Sequence, residues 1–368
     1  MSTGKGPLVL YGGYGVFGRL VAEDLLIHTD ATLLIVGRNH RTADAYAKTL
    51  GPRARGAASD ITDRESVNTV VAGASGVVCC AGPFQELPLH VLRAAIAHRV
   101  PYVDIADSRA YVRRLYSLEE KIRQAGIPVL TGASTVPGTA LLLVALARES
   151  IEQIDAVHIA LLIGNQNAKG DGAIRSLLSH LDAPIEMPND GADAIGRVWS
   201  QRELIEFPAP IGRRPVYGLD APDYDLLPRA FGVKTVTVKC GFDVACINRL
   251  LEGLTIIKRV ARCPIEQASS ALRAASRAIA FLGTGCGALR VEVLGTTGGR
   301  RKRFVGTMAA HVRGQRIAAI PAAVAAAALW RGDIRQTGIL LMHEWMDPRT
   351  YLSHLERRGV QWAVQTDG

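Results

Sequence analysis

Along the first third of the chain, short runs of wholly apolar residues alternate with segments whose apolar residues recur every three to four positions. The apolar runs cover residues 8–11, 33–36, 76–80 and 127–130, with 102–105 broken only by Asp104 and a weaker one at 54–59. A run without polar alternation is the signature of a strand buried on both faces. The intervening segments 16–27, 42–50, 65–72, 89–98 and 112–124 show helical periodicity. Six strands in this rhythm predict a parallel sheet covered by helices on both sides, the doubly wound Rossmann arrangement.

After a helix over 139–148 the pattern changes. Residues 291–294 and 304–311 alternate, and Gly298 and Gly299 between them predict an antiparallel hairpin. The segment 184–228 is rich in proline, glycine and aspartate and predicts loops and short strands. A further strand is expected over 235–239, with amphipathic helices over 246–260 and 266–282. The tail reads as helix 322–329, strand 338–342 and helix 351–357. The expected fold class is therefore α/β: a Rossmann domain over 1–135, then a second α+β domain for substrate and dimer contacts over 136–319. The tail 320–368 is expected to pack back on the first domain.

Composition narrows the class. The chain has 368 residues, room for two domains, and its 48% hydrophobic and 21% charged residues are those of a globular protein. The net charge of +9 is spread along the sequence. Its one dense run, Arg300 to Arg303, adjoins Gly298 and Gly299 and reads as a hairpin turn, so no nucleic-acid partner is expected. A mild positive excess also suits a polyanionic cofactor. The six cysteines form no C-x-x-C pair, which predicts buried thiols and no metal framework. No signal peptide opens the chain, and the longest apolar stretch, about fourteen residues over 317–330, contains Pro321 and falls short of the roughly 20 a membrane span needs. The expectation is a cytoplasmic protein with no transmembrane segment.

The strongest motif is the glycine-rich turn after the first strand. Gly13, Gly15 and Gly18 fit G-x-G-x-x-G, and Gly12, Gly15 and Gly18 fit G-x-x-G-x-x-G. In either reading the turn lets a pyrophosphate approach the backbone around Gly13, Tyr14, Gly15, Val16, Phe17 and Gly18. The next helix then points its free N–H groups at the phosphates. The second strand runs into Arg38 and Asn39, with no carboxylate where an NAD enzyme would hold its ribose. A guanidinium there can pair with a 2′-phosphate, with His40 and Arg41 adding to it, so NADP(H) is the expected cofactor. Asp60 and Ile61 follow the third strand and are expected at the adenine. Ala81, Gly82 and Pro83 follow the fourth and are expected beside the ribose and nicotinamide.

These motifs, with Tyr102-Val-Asp-Ile-Ala-Asp107 and Gly132-Ala-Ser-Thr-Val-Pro-Gly138 in the same order, resemble the saccharopine dehydrogenase-like (saccharopine reductase-like) oxidoreductases. The tail from Gly332 to Leu352 is similar to their C-terminal pattern. The resemblance implies an NADP-binding Rossmann domain, a second domain that shapes the substrate site, and a homodimer. It also implies reduction of imines formed from amino acids or amines. Other members, the trans-acting enoyl reductases, act on lipid-like or carrier-bound chains. This sequence carries Ser134 where several relatives have an aspartate in Gly-x-Asp-x-x-Pro.

The ends of the sheet strands are where ligands bind in such a fold. Asp104 and Asp107 follow the fifth strand and are the candidate catalytic acids, able to hold an iminium or deliver a proton. Alternatively, either caps the next helix or braces a turn. Ser134 is a candidate substrate contact, or a helix cap together with Thr135. Arg175 is a candidate clamp for a substrate carboxylate, and His311 reads mainly as structural. No Tyr-x-x-x-Lys pair, metal cluster, nucleophile elbow or P-loop lysine is present. The leading reading is an NADPH-dependent reductase of a C=N bond on a small-molecule substrate. An enoyl reductase and a non-catalytic NADP-binding sensor or adaptor are the alternatives.

Overall fold

The computed structural model describes residues 5–168, 171–261, 274 and 279–367. The chain divides into two compact units. One comprises Met1–Thr139 with Ala318–Trp345, the other Ala140–Ile317 with Met346–Gly368.

The first unit is built on strands β1 (Leu8–Tyr11), β2 (Leu33–Gly37), β3 (Ala54–Ala58), β4 (Gly76–Cys79), β5 (Tyr102–Asp104) and β6 (Pro128–Leu130). They lie in the order β6-β5-β4-β1-β2-β3, and every neighbouring pair is parallel. Strand order reverses direction between β1 and β4, which makes that junction the topological switch point. A seventh strand, Gly338–Leu340, pairs in parallel with β6 and closes that edge. The alternating helices are α1 (Val16–His28), α2 (His40–Leu50), α3 (Arg64–Val71), α4 (His90–His98), α5 (Arg109–Tyr116) and α6 (Glu119–Ala125). Each buries one stripe. In α1 it is Gly18, Val21, Ala22 and Leu25, the i, i+3, i+4, i+7 spacing of a helix lying on a sheet. Each large side chain buried in this way contributes about 1.5–3 kcal/mol. The single helix expected over 112–124 is two, because the chain turns at Ser117 and Leu118.

The second unit opens with α7 (Ala140–Ala147), apolar on every side and buried accordingly. Strand β7 (Gln153–Ile163) follows and was not foreseen from the sequence. Helix α8 (Asp171–His180) precedes the hairpin β8 (Pro184–Asn189) and β9 (Ala192–Arg197). Then come β10 (Glu203–Phe207), β11 (Gly212–Gly218), helix α9 (Asp223–Phe231), β12 (Thr235–Phe242) and helix α10 (Ala245–Ala261). Strands β13 (Gly287–Thr297) and β14 (Arg300–Ala310) form the expected antiparallel hairpin. Both turn glycines, Gly298 and Gly299, have positive φ. The main sheet runs β10-β11-β12-β7-β13-β14 and ends on the C-terminal strand Gln361–Asp367. Only β7 and β12 in it are parallel. The helix expected over 266–282 falls mostly outside the described residues.

The tail divides between the units. The helix Arg316–Arg331 and the strand Gly338–Leu340 lead into the first. There the Trp330 indole N–H donates to Asp30 at 2.6 Å and the Lys5 ammonium donates to the Trp330 carbonyl at 2.9 Å. The helix Pro348–Glu356 and the strand Gln361–Asp367 go with the second, because that strand completes the β14 edge by antiparallel pairing. Among the described residues no helix is long and apolar enough to cross a membrane.

Candidate functional site at the sheet switch point

The turn after β1 is shaped by two glycines in particular. Gly12 has φ +69°, and a Cβ on it would lie 2.7 Å from the amide nitrogen of Ala81, so the turns after β1 and β4 meet there backbone to backbone. A Cβ on Gly18 would lie 2.2 Å from the Gly12 carbonyl oxygen, so α1 packs directly on the turn that launches it. Gly13 is constrained as well, since a Cβ there would lie 2.8 Å from the Leu10 carbonyl oxygen, so both glycine spacings are built into the turn. The Gly15 N–H closes the turn onto the Gly12 carbonyl at 2.8 Å.

Helix α1 begins without a side-chain cap and without an acidic residue in its first turn. The amides of Val16, Phe17 and Gly18 precede the first intrahelical bond, which Arg19 N–H makes to Gly15 at 3.0 Å. Those amides and the positive end of the helix dipole form an anion cradle. Gly82 supports the same fit from the other side. Its Cβ would meet nothing nearer than Phe84 N at 4.0 Å, so protein packing does not demand a glycine there. An absent side chain at the switch point instead leaves room for a ligand. The Gly82–Pro83 peptide is cis, and Phe84 behind it is buried edge-on against Tyr111, ring centroids 5.0 Å apart.

At the end of β2, Arg38 is exposed, as are His40 and Arg41, and Arg38 enters no ion pair among the described residues. Asn39 caps α2, its side-chain oxygen accepting from Thr42 N–H at 3.1 Å. Its own N–H donates to the Tyr14 hydroxyl at 3.2 Å. The Tyr14 ring lies across Gly37, where a Cβ would come within 2.3 Å of it. That contact accounts for the glycine before Arg38, which sequence reading left unexplained.

Asp60 accepts from the backbone and the hydroxyl of Thr62 at 2.9 and 2.8 Å. Those bonds hold its carboxylate below the usual range, and the Arg38 charge adds to the effect. Ile61 follows it in the turn, half-buried.

The two candidate acids differ sharply. Asp104 is fully buried at the end of β5. One carboxylate oxygen accepts from Gly132 N–H at 2.8 Å, Ala106 N–H at 3.0 Å and the Thr131 hydroxyl at 3.0 Å. The other accepts from Thr131 at 3.1 Å. Burial pushes its pKa up to about 6, and these donors pull it back part of the way. Its carboxylate is thus committed to fixing the loop after β6 against β5. Asp107 is exposed, three residues further on. The cap of α5 is neither acid but Ser108, which accepts from Tyr111 N–H at 3.3 Å.

Around Asp104, burial raises the Cys79 thiol to about 12 and raises Cys80, Tyr102 and Tyr111 as well. These groups therefore stay protonated near neutral pH, and none is a ready nucleophile. The Tyr102 and Tyr111 hydroxyls bond each other at 2.9 Å.

Ser134 and Thr135 are buried where β6 leads into the turn Thr135–Thr139, and the Ser134 carbonyl accepts from Thr139 N–H at 3.0 Å. Arg175 is on α8 in the second unit, and its side chain lies outside the described residues. His311 follows β14, its Nε2 3.0 Å from the Gln361 amide oxygen. The structure therefore brings the glycine turn, Arg38, Asn39, Asp60, Ala81, Gly82, Pro83, Asp107 and Ser134 to the carboxyl ends of one parallel sheet. Arg175 and His311 belong to the other unit.

Residues 8–130 match the family model described as the saccharopine dehydrogenase NADP binding domain. The whole chain is similar in fold to the apo histidine-tagged saccharopine dehydrogenase (L-Glu forming) from Saccharomyces cerevisiae. The TM-score is 0.71 at 15% identity, covering 99% of this chain and 100% of that one. The serine dehydrogenase from Escherichia coli matches over 34% of this chain and 80% of its own, at 13% identity and a TM-score of 0.28. No match was found among curated proteins. The uncapped start of α1, the switch-point glycines and the cation after β2 all fit a phosphorylated dinucleotide. Residues 8–130 thus carry a saccharopine dehydrogenase-type NADP binding domain, within a chain that shares the fold of that dehydrogenase; this supports an NAD(P)-dependent oxidoreductase with NADP(H) as its cofactor.

Proposed function

We propose that the protein reduces the C=N bond of an imine derived from an amino acid or amine. The observation that supports this most is the edge where β4, β5 and β6 end side by side. It carries an open glycine backbone at Gly82, an exposed carboxylate at Asp107 and hydroxyls at Ser134 and Thr135. A carboxylate beside a protonated imine stabilises the cation that accepts hydride and repels no charge that forms later. The full-length likeness to a dehydrogenase named for forming L-Glu adds support for amino-acid chemistry.

When bound, NADPH supplies the hydride. In this reading Gly13, Tyr14, Gly15, Val16, Phe17 and Gly18 hold the pyrophosphate, and Arg38 with Asn39 faces the adenosine 2′-phosphate. Asp60 and Ile61 flank the adenine, while Ala81, Gly82 and Pro83 give the ribose and nicotinamide a surface without side-chain obstruction. Asp107, as a carboxylate, holds the iminium by its charge; hydride addition then leaves a neutral amine, which takes any further proton from water. Asp104 is a positioning residue that keeps the loop bearing Ser134 in place. The proposed setting is the cytoplasm and the proposed assembly a homodimer, which light scattering tests directly.

The function is tested by following NADPH oxidation at 340 nm with two panels, keto acids combined with amines and enoyl thioesters. Turnover confined to the first panel, lost by at least about a hundredfold in Asp107→Asn, is expected for a charge-stabilising group. Turnover of enoyl thioesters alone would replace this reading with double-bond reduction. Tight NADPH binding with neither activity would leave a sensor or adaptor.

A further inference from the structure

The cation after β2 is not the only group at that edge suited to a phosphate. Tyr14 occupies the variable position between Gly13 and Gly15, and three contacts fix it. Its ring covers Gly37, the last residue of β2. Its hydroxyl accepts the Asn39 N–H at 3.2 Å, and its carbonyl accepts from Arg19 Nε at 2.8 Å. The Arg19 guanidinium is in turn stacked 4.1 Å from the Tyr46 ring centroid on α2, whose hydroxyl donates to the Arg19 carbonyl at 3.2 Å. The phenol is therefore held rigidly at the strand end, with Arg38 one residue beyond the glycine it covers.

A phenol hydroxyl has one proton to give and two lone pairs. One lone pair takes the Asn39 amide. The proton has no acceptor among the described residues, and the side chain is half-buried, not fully enclosed. A donor held at the end of β2, on the amide next in sequence to Arg38, which enters no ion pair among the described residues, is placed for an acceptor that arrives with the ligand. Of the parts of a dinucleotide, the group at the end of the second strand is the adenosine ribose with its 2′ substituent.

We propose that the Tyr14 hydroxyl is a second reader of the adenosine 2′-phosphate, donating its proton to a phosphate oxygen and discriminating NADP(H) from NAD(H) together with Arg38. The inference rests on the reading of Arg38 as facing that phosphate. The Tyr14 ring also leaves no room for a side chain, a carboxylate included, at position 37, since a Cβ there would come within 2.3 Å of it. The selection thus has an attractive element, the donors, and an excluding one, the ring.

The test uses the full-length protein and measures dissociation constants for NADPH, NADH, 2′-AMP and 5′-AMP by calorimetry. The proteins are the unaltered one, Tyr14→Phe and Arg38→Ala. Tyr14→Phe keeps the ring on Gly37 and removes only the hydroxyl. Its expected effect is weakening of NADPH and 2′-AMP by about tenfold or more, the range for a hydrogen bond to a charged group, with NADH and 5′-AMP unchanged. Equal weakening of NADPH and NADH would mean that the hydroxyl acts only by ordering Asn39, and would overturn the inference. No weakening at all in Tyr14→Phe, with Arg38→Ala still selective against NADPH, would overturn it and leave the Arg38 reading standing. Loss of selectivity in neither variant would overturn both.

Discussion

A buried carboxylate without a partner is the most consequential single residue outside the cofactor site. Asp223 opens α9 with no exposure, and neither oxygen finds a hydrogen-bond partner elsewhere among the described residues. Burial pushes its pKa from 3.8 up to about 7. The unfolded chain binds the proton less tightly, so the folded state is favoured at low pH. That contribution is whole below the unfolded value and is lost as pH rises through the folded one. The loss is on the order of 4 kcal/mol by the usual conversion of pKa units to free energy. Asp223→Asn removes the charge and should leave stability nearly unchanged at pH 3, below the unfolded value, while raising it at pH 8. Urea midpoints at the two pH values measure this directly, and parallel shifts at both would refute it. The contrast with Asp104 is instructive. Both carboxyls are buried, but Asp104 has amide and hydroxyl donors around it and is held nearer its usual range. The roles of these two acids were not legible in the sequence. What separates them is contact with Thr131 and Gly132, which are remote in the chain from Asp104, and the absence of any such contact at Asp223.

Among the elements, α1 carries the cofactor turn, and its two ends differ in chemistry. Its start has no side-chain cap. At its end, Arg53 donates to the carbonyls of Thr29 at 2.6 Å and Leu26 at 2.5 Å. A cation on the last turn satisfies orphan carbonyls and complements the dipole. Arg53→Met keeps much of the side-chain volume and should cost about 1–2 kcal/mol, as for charge-assisted bonds of this kind. Chemical denaturation of the two proteins checks it, with an unchanged midpoint counting against the role. Legibility varied between elements for physical reasons. Strands β1, β2 and β4 are apolar throughout because helices cover both faces, and such runs stand out. Strand β7 lies at the centre of its sheet yet went unread. Its run Ala160-Leu-Leu-Ile163 follows the apolar α7 closely, and His158 and Asp155 interrupt its alternation. The strand Gln361–Asp367 is an edge strand, half-exposed, so its apolar content is too thin to register. The break between α5 and α6 carries no glycine or proline to announce it. The glycine turn was fully legible because its residues are adjacent in sequence. The Tyr14–Gly37 contact was not, since it depends on the approach of two strands' ends.

At the scale of the whole molecule, the first unit is discontinuous in sequence. Its seventh strand and the helix before it return after all but the last strand of the second sheet has been laid down. A ligand that binds only the folded first unit stabilises every segment belonging to it, by about 2.7 kcal/mol at a hundredfold excess over its dissociation constant. Hydrogen exchange of the full chain with saturating NADPH should therefore protect peptides from 318–345 together with those from 8–139. This gain should appear although none of the glycine-turn residues is in the later segment. Unaltered exchange at 338–340 under conditions that report global opening of the unit would contradict the grouping.

The pairing of Gly338–Leu340 with β6 also sets a clock during biosynthesis. The ribosome completes β6 and then makes about 200 more residues before the strand that covers its edge emerges, an interval of roughly 10–40 s at ordinary elongation rates. Throughout that time the nascent nucleotide-binding sheet offers an open row of backbone donors and acceptors to any passing extended chain. Sheltering that unfinished border until its own strand arrives therefore bears on how much of the protein a cell recovers, as distinct from its stability once made.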